Sequence, residues 1–372
     1  MTSGEKLLSI AMIGTRGVPA QYGGFETAVE NIGTRLAERG HTVVVYCRNA
    51  GQSMGHYQGM HLVNLPALRS RSLETLSHTA LSVAHAAIRL PDMAFVFNAA
   101  NAPLLPVLRV RLIPVALHVD GLEWQRAKWK GAGQRYYRWA EASCARSGVD
   151  LIADSRGIKD HLRRSYDVDS HFIPYGAPIL SAGSSRLGEL GLERHRFHLV
   201  VARFQPENHV LEIIRGYGAS TAKHPLIVVG GAPYGAEYTG QVREAANDDS
   251  RIRFLGGIFD QDLLDQLYGN AASYLHGHSV GGTNPSLLRA LGAGATPIAY
   301  DVSFNREVAG DDGEYFTAPE DIGPLLRLAE QQPQAWQMRG MRLRERMSQL
   351  YRWDRVADDY EQLARDLATR RR

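Results

Sequence analysis

LLSIAMIGTRGVPAQYGGFETAVENIGTRLAERGHTVVVYC, residues Leu7 to Cys47, decides the fold class. Its opening LLSIAMIG is an apolar run of strand length and reads as a buried strand. Phe25, Val29, Ile32 and Leu36 then recur at helical spacing, and Gly40 stands where that helix would end. HTVVVYC resumes a strand, so the stretch is a βαβ unit. Its first connection, GTRGVPAQYGG, is long and glycine-rich, as a loop touching a ligand at a strand's carboxyl end would be.

Working outward, further strands are expected at MAFVFN, IPVALHV, DLIADS and SHFIP, with helical patterns between them. In IPYGAPILSAGSSRLGELG, Pro174, Gly176, Pro178 and a Ser/Gly cluster mark a linker. A second series follows: HLVVARF, PLIVVGG, RIRFLGG, ASYLHGH and TPIAYD alternate with helices such as DQDLLDQLYGNAA and SLLRALGAG. The expected architecture is α/β, two doubly wound Rossmann-like domains in tandem, with the ligand between the carboxyl ends of their sheets. The expected boundaries are 1–178, 179–350 and a closing amphipathic helix within 351–372 that ends in Arg370, Arg371 and Arg372.

Composition agrees with that organisation. At 372 residues and 44% hydrophobic content, the chain exceeds the size at which one core keeps growing. Its net charge of +3 argues against a dedicated nucleic-acid binder. Cys47 and Cys144 form no CxxC pair, which indicates neither a disulfide framework nor a cysteine zinc site and fits a reducing cytoplasm. MTSGEKLLSIAMIG has too short an apolar run for a signal peptide, and no apolar stretch approaches ~20 residues. Contact with a membrane is therefore expected only from its surface.

Nicotinamide chemistry is disfavoured by the motifs. Gly14 and Gly17 miss the G-x-G-x-x-G spacing, and VVVYCRN ends in Arg48 instead of the acid that holds a ribose. No G-x-x-x-x-G-K-[ST] loop occurs. In YGGFE, Gly23 and Gly24 precede a helix whose first turn holds Glu26; this is either a close approach to a bound group or a tight turn. His118 and Asp120 in HVDGLEW fall at a strand's carboxyl end, facing the expected site. His276 and His278 share a strand face, but without a carboxylate cluster no metal site is expected.

Arg203 in VARFQPEN, just past a strand, can grip a phosphate with two parallel hydrogen bonds or lie on the surface. HGHSVGGTNPSLLRALGAG supplies Asn284 as a helix N-cap, Pro285 at the first helical position, and backbone N–H groups of Gly281, Gly282 and Thr283 for a pyrophosphate. WQRAKWKGAGQRYYRWAEASCAR interleaves aromatics with cations, and three readings stay open for it. Trp124, Arg126, Lys128, Trp129 and Lys130 suit an anionic membrane interface, the segment could stack on single-stranded RNA, or its aromatics could be core beneath a solvated basic face.

With these pieces in order, the chain resembles a GT-B glycosyltransferase of the family 4 type, within it the bacterial rhamnosyltransferase-like group of capsular and cell-wall polysaccharide synthesis. IGTRGVPAQYGGFET, NAANAP, VDGLEWQRAKW, LIADSRGI, FIPYGA, VARFQPEN, HGHSVGGTNPSLL, AYDVSFNREV and YRWDRVADDYEQL carry the resemblance along nearly the whole chain. It implies retaining, metal-independent transfer from a nucleotide sugar, dTDP-rhamnose, to a polyprenyl-diphosphate-linked saccharide, with no cofactor and no nucleic acid. It places Gly23, Gly24, Arg203 and the Gly281–Asn284 stretch on the donor diphosphate and His118, with Asp120, at the transferred sugar. Arg16, Tyr22 and Glu26 belong to the acceptor-side loop, and the last helix is expected to return to the first domain.

The sequence departs from that pattern at three places. Asn208 replaces a lysine five residues after the diphosphate arginine, Ser279 replaces an acid, and Arg289 replaces the glutamate that holds the nucleotide ribose. An arginine cannot accept hydrogen bonds from ribose hydroxyls. Two further readings therefore stand beside the transferase: an impaired sugar-nucleotide-binding partner in the same pathway, and a GT-B sugar-nucleotide epimerase.

Overall fold

A computed structural model describes residues 6–20, 23–48, 54–68, 73–119, 121–127, 129–231 and 236–370. The chain divides into two compact units. The first comprises Met1–Gln125, Trp129–Tyr175 and Trp353–Arg372, the second Arg126–Lys128 and Gly176–Arg352.

The first unit contains β1 (Ser9–Ile13), α1 (Gly24–Glu38), β2 (Thr42–Cys47), β3 (His56–Tyr57), β4 (Met60–Asn64), α2 (Glu74–Arg89), β5 (Met93–Phe97), α3 (Leu105–Val110), β6 (Val115–Val119), α4 (Ala132–Arg146), β7 (Asp150–Ala153), α5 (Arg156–Tyr166) and β8 (His171–Phe172). The sheet order is β3-β4-β2-β1-β5-β6-β7-β8, parallel except for the β3–β4 pair. Every residue of β5 and β6 is buried, as expected of central parallel strands covered by helices on both faces. The helical spacing read in the sequence puts Val29, Ile32 and Leu36 of α1 inside.

In the second unit, β9 (His198–Arg203), α6 (Val210–Gly218), β10 (Leu226–Gly231), α7 (Ala236–Ala245), β11 (Ile252–Gly256), α8 (Gln261–Asn270), β12 (Ser273–His276), α9 (Pro285–Gly292), β13 (Pro297–Tyr300), α10 (Ser303–Ala309), β14 (Glu314–Phe316), α11 (Pro319–Gln331) and α12 (Pro333–Leu350) follow in order. They build a wholly parallel sheet, β11-β10-β9-β12-β13-β14. In each sheet the first strand is central and the winding reverses beside it, between β1 and β5 and between β9 and β12. The carboxyl ends at such a reversal leave a crevice where doubly wound folds bind ligands.

The last helix, α13 (Trp353–Arg370), joins the first unit. It buries Val356, Tyr360, Leu363 and Leu367, and it is fastened to α1 by Arg35–Asp354 at 2.8 Å, Arg39–Asp358 at 2.6 Å and Arg39–Glu361 at 2.7 Å. The strands absent from the sequence reading, β3, β4 and β14, are mostly half-exposed, and β3 and β14 are also short, so they lack the apolar run that announces a central strand. Among the described residues, no helix is long and apolar enough to cross a membrane.

Candidate functional site

At the carboxyl edge of the first sheet, the loop after β1 is held by Glu26 of α1, whose Oε1 accepts from the Arg16 N–H at 3.0 Å. Gly23 makes this possible. It has φ +129°, and a Cβ there would sit 2.1 Å from Glu26 Oε2, so only glycine leaves room for the carboxylate to reach back. Gly24 opens the helix and the Arg16 side chain faces solvent. Tyr22 and Asp120 lie outside the described residues.

Phe25 joins this helix start to His118 on β6. Its ring meets the imidazole edge-on at 5.2 Å and Phe97 at 5.5 Å. The imidazole is walled by Phe97 and Tyr175, and its Nδ1 lies 2.7 Å from the Tyr360 hydroxyl. Its Nε2 is buried with no hydrogen-bond partner among the described residues. Burial pushes the His118 pKa down to about 3, so the ring is neutral across the physiological range.

In the second unit, Arg203 ends β9 and His276 ends β12, on neighbouring strands at the reversal of the sheet. Gly277 follows, where a Cβ would lie 2.1 Å from the Asn208 carbonyl oxygen. Asn208 stitches the two loops together: its Nδ2 donates to the Arg203 carbonyl at 2.8 Å and its Oδ1 meets His278 Nδ1 at 2.7 Å. Asn208 thus supports the loops bearing Arg203 and His278. Burial, then the charges of Arg126, His276, Arg203 and His209, hold His278 well below the ordinary histidine range.

The chain then turns through Gly281, at φ +133°, Gly282 and Thr283 into α9. Asn284 caps the helix, its Oδ1 accepting from the Ser286 N–H at 2.9 Å, and Pro285 takes the first helical position. Ser279 is engaged internally, with its hydroxyl 3.0 Å from His209 Nε2 and donating to the Glu207 carbonyl at 3.1 Å. The local field is positive: an arginine and a helix start meet at one sheet edge, while the buried imidazoles of His276 and His278 stay neutral.

Comparison with known proteins places this geometry. Residues 8–178 match the model of a family described as a domain of unknown function, DUF1972. No curated protein sequence matches the chain. Sucrose-phosphate synthase from Thermosynechococcus elongatus is similar in structure at TM-score 0.82 and 19% identity, covering 97% of this chain and 99% of its own. HepE of Anabaena in complex with UDP-glucose is similar at TM-score 0.78 and 15% identity, covering 96% and 99%. WaaG, a glycosyltransferase involved in lipopolysaccharide biosynthesis, is similar at TM-score 0.72 and 17% identity, covering 94% and 98%. The fold is GT-B.

Within this GT-B chain, Arg289 on α9 is engaged away from the helix start. Its Nε and Nη2 donate to the two carboxylate oxygens of Asp265 on α8, at 2.6 and 2.8 Å. The basic-aromatic segment is also more folded-in than a membrane-facing reading expects. Trp124 Nε1 donates to buried Glu141 at 3.0 Å, Trp129 Nε1 donates to Glu123 at 3.1 Å, and Arg126 is buried. Lys130 is exposed and Lys128 lies outside the described residues.

Among the described residues, no group of three or more His, Cys, Asp or Glu side chains is placed to hold a metal ion. Sequence reasoning missed Tyr360 and Asp265. Tyr360 reads only as one more apolar position of an amphipathic helix, and Asp265 as a solvated acid.

Proposed function

We propose that the chain is a retaining, metal-independent glycosyltransferase. It moves a sugar, rhamnose from dTDP-rhamnose, onto a polyprenyl-diphosphate-linked saccharide in bacterial surface-polysaccharide synthesis. The observation that carries this reading is that Arg203 ends β9, the strand next to β12, and that β12 is followed by the Gly281–Asn284 turn into α9. When the bond to the sugar breaks, negative charge develops on the leaving diphosphate. Amides at the start of α9 and the guanidinium of Arg203 on the neighbouring strand would stabilise that charge. His118, neutral and with an unpartnered nitrogen, suits a hydrogen bond to the sugar. HepE, which has this fold, is seen with UDP and with UDP-glucose, which supports a nucleotide sugar as the donor.

Titration calorimetry with dTDP, UDP and GDP, at equal salt and without metal, tests the reading. Selective dTDP binding is expected, weakened about ten- to a hundredfold by Arg203→Ala, the loss of one charged hydrogen-bond partner. Preference for UDP would remove rhamnose as the donor sugar and keep the nucleotide-sugar reading. Absence of binding by all three would overturn it.

One observation favours the impaired-partner reading. Arg289 stands where the resemblance expects a ribose-binding acid, and Asp265 holds it in a bidentate pair. Tight dTDP binding without turnover of dTDP-rhamnose and a lipid-diphosphate acceptor would establish that second reading.

A further inference from the structure

We infer that Tyr360 is a positioning residue for His118: its phenol donates to Nδ1 and so leaves the imidazole's single proton on Nε2, facing the place of the substrate. The inference deepens the functional reading in one respect, since it takes a sugar oxygen as the acceptor for that proton.

Tyr360 Oη and His118 Nδ1 are 2.7 Å apart and both side chains are buried. A neutral imidazole has one N–H and one lone pair, so the contact can be made in two ways. If Nδ1 carried the proton and donated to the phenol oxygen, the phenol hydrogen would lie buried without an acceptor and Nε2 would present a bare lone pair. With the phenol donating, its hydrogen and the Nδ1 lone pair satisfy each other. Only Nε2–H is then left over, and it has no partner among the described residues. Orphaned buried donors are rare unless they serve a ligand. Burial raises the Tyr360 hydroxyl well above its ordinary value and the nearby Asp154 charge adds to this, so the O–H stays intact.

The surroundings hold this arrangement still. Phe25, Phe97 and Tyr175 fix the plane of the imidazole, and Phe95 packs on the Tyr360 ring at 4.8 Å. Neighbouring buried positions of α13 are apolar: Val356, Ala357, Leu363, Ala364 and Leu367. Phenylalanine would fill the same space, so the hydroxyl is what distinguishes Tyr360. Although 242 residues separate the two side chains, the Arg35, Arg39 and Glu361 ion pairs anchor the helix that brings them together. His118 then acts as a fixed neutral donor to an oxygen of the sugar, with no proton transferred in the step.

The test uses the full chain with 15N-labelled histidine, the His118 signals being assigned by their loss in His118→Gln. The expected result is an Nε2–H tautomer in the unaltered protein, moving toward Nδ1–H in Tyr360→Phe. An Nδ1–H tautomer in the unaltered protein, or no change in Tyr360→Phe, would overturn the inference. In transfer assays Tyr360→Phe is expected to lower kcat about tenfold, one hydrogen bond's worth, with dTDP affinity unchanged because dTDP lacks the transferred sugar. An equal loss of dTDP affinity and turnover would instead mark general damage and count against positioning. A protein inactive in transfer fails the functional reading alone, since the tautomer is read without turnover.

Discussion

Arg289 and Asp265 meet through two parallel hydrogen bonds, with side chains 24% and 19% exposed. Partial burial and bidentate geometry make this pair stronger than an open surface ion pair, at about 1–2 kcal/mol. Arg289→Ala and Asp265→Ala are each expected to lower the free energy of unfolding by about that amount. The double variant should cost less than the sum, a coupling read by urea denaturation. Restoring an acid at position 289 alone would set two carboxylates against each other. Arg289→Glu combined with Asp265→Asn is therefore the informative variant: dTDP affinity above that of the unaltered protein would show that the missing ribose acceptor limits binding.

α13 is held to the first unit by an ionic cluster centred on Glu361. This carboxylate meets Arg39 at 2.7 Å, His41 at 3.1 Å and Arg365 at 2.5 Å. Burial pushes its pKa up, but hydrogen bonds from His41, Arg39 and Arg365 outweigh that and hold it at about 2, below the ordinary value of 4.5. A carboxylate depressed in the folded state contributes stability that is fully present above the unfolded pKa and is lost as pH falls through the folded one. The contribution, roughly 1–3 kcal/mol, should therefore fade between about pH 4.5 and pH 2. Urea denaturation of the unaltered protein and of Glu361→Gln is expected to differ at pH 6 and to converge near pH 2. A gap that persists at pH 2 would assign the loss to packing.

On the scale of the molecule, one side of the first unit combines apolar and basic groups. Ile88, Val110 and Leu112 are 78%, 81% and 74% exposed, and Trp139 is 53% exposed. Arg111 donates to the Ala87 carbonyl beside Ile88, and Arg109 donates to the Ser147 carbonyl after α4, so α2, α3 and α4 present this surface together. Residues 93–119 contain no acid, and Glu141 of α4 is buried, accepting from Trp124 and Tyr166. Such a surface suits anionic lipid head groups, as a lipid-linked acceptor would require. The protein is expected to float with anionic vesicles at low salt, less so at high salt and not with neutral vesicles. Val110→Glu with Leu112→Glu should leave it in the soluble fraction. Flotation undiminished by that pair would move the contact elsewhere.

Periodicity and turn chemistry determined much by themselves. The apolar run of β1, the helical spacing of α1, the Asn284-Pro285 helix start and the glycines at 23 and 281 act through backbone sterics over a few residues, so they are legible without a fold. Edge strands such as β3 and β14 were not, because half-exposed residues carry no distinctive period. The decisive pairings of the candidate sites also belonged to the tertiary structure. Arg289 finds Asp265 across two helices, Trp124 turns inward to Glu141, and Tyr360 reaches His118 from the other end of the chain. Sequence sets which face of an element is apolar. Which polar atom meets which depends on how separate elements pack and where their side chains point, and only the folded core fixes that.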